Sequence, residues 1–146
     1  MIFNSPLSIR TSPKRKFVLN LNQYRNTHYR MSNNAKVKYK EFMKKQILKQ
    51  KGKITKALFI YTVYAGSKRS FDVGNVVSIH QKFFEDALVE LGMMEDDKYS
   101  IAPMYIGCFG GIDKENPHVN IEVIQNITGF KVKVLTKVKE ILRRLY

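Results

Sequence analysis

The stretch ALFIYTVY, Ala57 to Tyr64, constrains this chain more than any other part of it. It is uncharged, apolar, and rich in β-branched and aromatic side chains, so it is expected to be a central strand. A central strand needs neighbours and covering layers, which the rest of the sequence must supply.

Periodicity suggests where they come from. A helix is expected from Ser32 or Asn33 to about Gln50, with Val37, Phe42, Met43, Ile47 and Leu48 on one side and Gly52 closing it. A second is expected from Val76 to Leu91, stopped by Gly92. Its buried stripe is Val76, Ile79, Phe83, Ala87, Leu88 and Leu91, with Ser78, Lys82, Glu85 and Asp86 facing outward. A last amphipathic helix, about 134–145, carries Leu135, Val138, Ile141, Leu142 and Leu145. Further strands are expected over Ile2 to Ile9 (broken by Pro6), Phe17 to Leu21, the residues after Pro103 up to Phe109, and His118 to Ile124. The last two, joined through Gly110–Pro117, read as an antiparallel hairpin. Asn22 to Lys36 reads as irregular. The order is β β α β α β β α, one α+β (mixed α/β) domain over 1–146, with a mixed or antiparallel sheet and about three helices.

Charge divides this domain. Residues 1–56 hold fifteen Lys or Arg and one acid, Glu41, a net of +14. Residues 57–146 hold eleven of each sign and are neutral. A basic half of this kind attracts phosphate backbones through counterion release, so DNA or RNA is the first partner to consider and an anionic membrane surface the second. The plainer alternative is a solvated surface. Basic residues in TSPKRK (Lys14, Arg15, Lys16), in NQYRNTHYRMSNNAK (Arg25, Arg30, Lys36), and at Lys38, Lys68 and Arg69 are the candidate nucleic-acid contacts. In the second of these segments Tyr24, Tyr29 and His28 interleave with the arginines, a pattern that suits sugar, base and phosphate. No apolar run is long enough to span a bilayer, and Cys108 is the one cysteine. The expected location is the cytoplasm.

Against this background the acids gather. Asp72, Glu85, Asp86, Glu90, Glu95, Asp96 and Asp97 all fall between Arg69 and Ser100. Carboxylate oxygens suit Mg²⁺, with Mn²⁺ as a substitute, and such an ion could serve phosphoryl chemistry. Spacing alone does not unite them. Asp72 precedes the second helix and Asp96–Asp97 follow it, at opposite ends of an element roughly 24 Å long at 1.5 Å per residue. Helix capping by Asp72 and solvated acids at a turn explain the same pattern.

The stretch Asp72-Val73-Gly74-Asn75, with Lys82 four residues before Asp86-Ala87-Leu88 and then Asp96-Asp97, resembles the RusA-like Holliday-junction resolvases of bacteria, prophages and phages. Asn4 to Ser8 (NSPLS), the Tyr-rich basic stretch, the lysine-rich helix and the strand HVNIEV after Pro117 are similar too. The resemblance implies a compact mixed α/β fold and a homodimer. It implies Mg²⁺-dependent cutting of four-way DNA junctions in recombination and repair, in a bacterial or phage-infected cell. On it Asp72, Lys82 and Asp97 are catalytic, Asp72, Asp97, Asp96 and Asp86 are metal ligands, and Asn75 orients the first loop. Gly74 stands where the motif has its second aspartate, and the Asn75–Lys82 segment is about one turn longer than the motif's. Three functions therefore stay open: a junction endonuclease, a DNA-binding protein on the same fold that has lost the chemistry, and a small protein that binds an acidic partner.

Overall fold

A computed structural model describes residues 1–125 and 130–145 of the chain. Its elements are β1 (Ile2–Pro6), β2 (Ser8–Ser12), β3 (Arg15–Val18), α1 (Leu21–Arg25), α2 (Tyr29–Leu48), β4 (Ala57–Ala65), α3 (Val73–Glu90), β5 (Met104–Ile112), β6 (His118–Gln125) and α4 (Phe130–Leu145). The fold is a mixed α/β domain, as the element pattern predicts.

The apolar run is β4, and it is central. The main sheet has the order β1-β6-β4-β5, so β4 is flanked on both edges. It runs parallel to β5, from Leu58 opposite Met104 to Ala65 opposite Ile112, and antiparallel to β6, from Ala57 opposite Gln125 to Tyr64 opposite His118. Ala57 to Tyr61 are each at most 1% exposed. Phe59, Tyr61 and Val63 face the main core with α3, while Leu58 and Ile60 are buried outside it, on the other face.

The expected β5–β6 hairpin does not form. The connection after β5 carries the chain past β4, and β6 pairs with β4 and β1 instead. The strand with the most apolar surface on both faces gains most from a partner on each edge, and this outranks the short loop between β5 and β6. The expected first strand divides into two. Ile2–Pro6 joins the main sheet, and Ser8–Ser12 pairs with Arg15–Val18 in a separate hairpin. Pro6 lacks the N–H that would continue a ladder, so the chain leaves the sheet there.

The segment expected to be irregular is largely helical. Asn20 Oδ1 accepts the Asn22 N–H at 2.8 Å and starts α1, and His28 Nδ1 accepts the Arg30 N–H at 3.3 Å and starts α2. The face that α2 buries also differs from expectation. It is Ser32, Ala35, Tyr39, Met43 and Ile47, whereas Val37, Phe42 and Leu48 are exposed. Small residues at 32 and 35 let the helix approach closely, and the Tyr39 hydroxyl pairs with Ser5 Oγ at 2.9 Å in the interior.

Helix α3 starts at Val73, a turn earlier than expected, and buries the predicted stripe as far as Leu88 together with Val77, His80, Phe84 and Glu85, while Leu91 is its half-buried C-cap. Its Phe83 ring packs against the rings of Phe17, Tyr24 and Tyr39, with centroids 5.7–6.3 Å away. Phe84 meets Phe3 at 4.9 Å and Phe59 at 6.5 Å. Helix α4 lies beside β5, where Val138, Ile141 and Leu142 border a cleft with Ile106 and Cys108. Leu135 and Leu142 are exposed, and the side chain of Leu145 lies outside the described residues.

Gly110 fixes how β5 meets β4. A Cβ there would fall 2.5 Å from Thr62 Cγ2 and 2.7 Å from the Tyr64 ring. Gly110→Ala is therefore expected to lower stability by about 1–3 kcal/mol through overpacking. Guanidinium unfolding of the variant beside the parent protein measures this, and an unchanged midpoint would contradict it.

Candidate nucleic-acid interface

The acids that the sequence groups together are distributed by the fold over three places. Asp72 is the N-cap of α3: its Oδ1 accepts the Asn75 N–H at 3.2 Å and its Oδ2 accepts the Asn75 side-chain amide at 3.1 Å. Asn75 thus braces Asp72, and both line a cleft of about 490 Å³ with Arg69. Gly74 is part of this arrangement, since a Cβ at that position would come 3.1 Å from Asp72 Oδ1.

Asp86 lies on the side of α3 that meets α2. Its carboxylate is 3.0 Å from Lys36 Nζ, and Glu90 pairs with both Lys36 (3.2 Å) and Lys40. Partial burial disfavours the Lys36 ammonium, but the two carboxylates outweigh it and raise its pKa above the ordinary lysine value. Asp86 and Glu90 therefore act as countercharges that seat the lysine-rich helix.

Asp96 and Asp97 lie beyond the far end of α3. Asp96 pairs with Lys98 at 2.6 Å and accepts the Asp97 N–H at 2.8 Å. Asp97 is close enough to Glu85 for its charge to act there. Glu85 is thirteen residues along α3 from Asp72, roughly 20 Å at 1.5 Å per residue. Asp72 thus stands at the start of α3, and Asp97 acts on a residue near its far end. Among the described residues, no three or more of His, Cys, Asp and Glu group so as to hold a metal ion. The acids that the resemblance assigns to Mg²⁺ fall in three places along α3: Asp72 at its start, Asp86 on its side, and Asp96 and Asp97 beyond its end.

The candidate cations also fall into separate groups. Lys14, Arg15 and Lys16 are exposed around the turn of the β2–β3 hairpin, which Asn34 ties to α2 by donating to the Thr11 carbonyl at 3.3 Å. Lys68 and Arg69 are exposed on the loop before α3. Arg30 holds its guanidinium 5.8 Å from the Tyr29 ring centre, and Lys38 pairs with Glu41 at 2.9 Å. Arg25, Lys36 and Lys82 converge. They line one cavity of about 500 Å³ where α1, the start of α2 and the middle of α3 meet, together with Tyr24 and Tyr29. Three of the predicted cations thus share one concave place, as Arg69, Asp72 and Asn75 share the cleft at the start of α3. The same cavity holds Ser32, which sequence reasoning treats only as a helix cap.

Glu85 is another residue that the sequence reading misplaces. Only 6% exposed, it accepts from the Tyr61 hydroxyl at 3.4 Å. Burial pushes its pKa up to about 7, helped by the charges of Asp97 and Asp86 and opposed by hydrogen bonds with Gln81 and Tyr61. No periodic signal marks it, because its position is decided by which side of α3 meets Tyr61.

In comparisons with known proteins, no family model and no curated protein matches this sequence. No helix among the described residues is long and apolar enough to cross a membrane.

Two outcomes follow from this geometry. The folded protein holds Glu85 protonated up to about pH 7, while the unfolded chain releases that proton near 4.5. The contribution of Glu85 is therefore fully present below pH 4.5 and is lost as pH rises through 7. Glu85→Gln keeps a neutral group there, so its unfolding free energy should gain on the parent's across that window and hold level above it, as urea titrations at several pH values would show. Asp72→Ala should cost about 0.5–2 kcal/mol through loss of the helix cap, and Asp72→Ser should restore most of it. Thermal unfolding of the pair tests this, and equal losses in both would contradict the capping role.

Proposed function

We propose that the protein binds branched DNA, four-way junctions above all, and acts on it as a metal-dependent endonuclease of the Holliday-junction resolvase type. The observation that carries the binding half is the convergence of Arg25, Lys36 and Lys82 with two tyrosines in one cavity, lined mostly by residues 1–56, whose net charge is +14. Cations in a concave site attract a phosphate backbone, and aromatic rings beside them suit exposed bases. The cutting half rests on the motif Asp72 … Lys82 … Asp86-Ala87-Leu88 … Asp96-Asp97. It is supported by Asp97 and Asp86 both lying near enough to Glu85 for their charges to act on it. Carboxylates that repel one another are a setting a divalent ion would relieve.

A second reading is favoured by a different observation. Asp86 and Asp96 are held by lysines, Asp72 is occupied as a helix cap, and Gly74 carries no carboxylate. On this reading the protein is a junction-binding protein that does not cut. Both readings include the homodimer that the resemblance implies, since a junction has two equivalent strands to engage.

A labelled four-way junction, incubated with the protein with and without Mg²⁺ and beside Asp97→Asn, separates the two. The endonuclease reading expects paired nicks that need the metal and vanish in the variant. Binding that weakens steeply with salt, without nicks in Mg²⁺ or Mn²⁺, would leave the second reading. Absence of salt-dependent binding would remove both.

A further inference from the structure

The cavity between α1, α2 and α3 has a feature that phosphate attraction does not use. Ser32 is 7% exposed and lines the cavity, and its hydroxyl, itself closed off from water, has no hydrogen-bond partner. A buried hydroxyl without a partner is costly, and such groups in folded proteins call for an explanation. The surroundings suggest one. Arg25 and Lys82 have no ion-pair partner among the described residues, unlike Lys36, which is engaged by Asp86 and Glu90. The first turn of α2, which opens onto the cavity, contains no acid, so its amide dipoles add to the positive field. Tyr29, 68% exposed, presents an aromatic ring at the mouth, while Tyr24 packs edge-on against Phe83 and forms the wall. A volume of about 500 Å³ lies within the roughly 300–1,000 Å³ of small-molecule sites.

We infer that this cavity receives a single unstacked nucleotide of a DNA strand, its phosphate held by Arg25 and Lys82, its base beside Tyr29, and the Ser32 hydroxyl turning about its Cα–Cβ bond to hydrogen-bond it. The strand as the source rests on the DNA-binding reading above. The chemistry itself is that of a nucleoside 5′-phosphate, which a free nucleotide shares. Extracting a base costs stacking energy, and this cost is smallest at a branch point, where bases are already poorly stacked. Aromatic stacking and charge-assisted contacts offset it.

The test uses the full chain with a four-way junction and a single strand, each carrying 2-aminopurine, which brightens when it leaves the stack, at successive positions. Deoxyadenosine monophosphate is titrated separately by calorimetry. A several-fold rise in fluorescence at one position near the branch is expected. Arg25→Ala and Ser32→Ala should each weaken single-strand binding about tenfold and remove the rise. Ser32→Ala should fold at least as stably as the parent, since it deletes only an unpartnered hydroxyl, and thermal unfolding checks this. If the junction binds with strong salt dependence but no position brightens and Arg25→Ala binds like the parent, the nucleotide site is overturned and the DNA-binding reading survives. If no DNA binds but the free nucleotide binds one to one and Arg25→Ala abolishes it, the cavity stands as a nucleotide site and the DNA-binding reading falls. If neither ligand binds, both are overturned.

Discussion

Burial of β4 on both faces and along both edges is the constraint on which the rest of the structure depends. Five consecutive residues, Ala57 to Tyr61, are shut off from water. Each buried aliphatic or aromatic side chain of this kind contributes about 1.5–3 kcal/mol. This is realised only if β5 and β6 complete the ladders and α3 covers one face. The β4–α3–β5 crossover follows from it, because parallel strands cannot be joined by a tight turn. Helix α3 is thereby fixed across the sheet, and with it the places of Asp72 at its start and of Glu85, Asp86 and Glu90 along it.

The candidate site is assembled as a second layer on α3. Phe83 inserts among Phe17, Tyr24 and Tyr39, and so anchors the hairpin, α1 and α2 to one residue. The Lys36 and Lys40 pairs with Asp86 and Glu90 then set α2 beside α3. Partly exposed ion pairs of this kind contribute little to stability, about 0–1 kcal/mol each. Their larger effect is to choose which basic residues remain available. Lys36 is committed to the helix contact, while Arg25 and Lys82 are left at the cavity.

Much of this was legible in the sequence where a single local pattern decides the outcome. β4, β6, α3 and the stripe of α3 are set by runs or periods that have one good solution. The misses share a cause: the deciding partner is distant in sequence. The face of α2 was misread because Ser32 and Ala35 score poorly as apolar residues, yet their small size and the Ser5 partner of Tyr39 select that face. The hairpin of β5 and β6 was misread because loop length speaks only for those two strands, whereas β4 competes for the same edge. Glu85 was placed outward because nothing nearby in sequence marks Tyr61 as its neighbour. That Asp72 and Asp97 stand beyond opposite ends of α3 is legible, since the helix pattern lies between them. The gathering of Arg25, Lys36 and Lys82 was not, because it needs three helices to be packed first.

The concentration of acids in a basic chain then has a physical account that does not begin with a metal. A lysine-rich helix lies against the domain with less repulsion when negative charge is near, and α3 supplies it on the side facing α2. The acids at the ends of α3 are held in different ways: Asp72 satisfies open amides, and Asp96 pairs with Lys98. What this leaves unexplained is Glu85, a buried carboxyl kept neutral up to about pH 7 by its setting, with Asp97 and Asp86 adding to the repulsion. Helix packing does not require a carboxyl there, since an amide would fit beside Tyr61 without the electrostatic cost. A cation near Asp97 would reverse the sign of that cost by favouring the ionised form. Countercharge thus accounts for the acids along the α2 contact, and Glu85 beside Asp97 is the part of the cluster it does not reach.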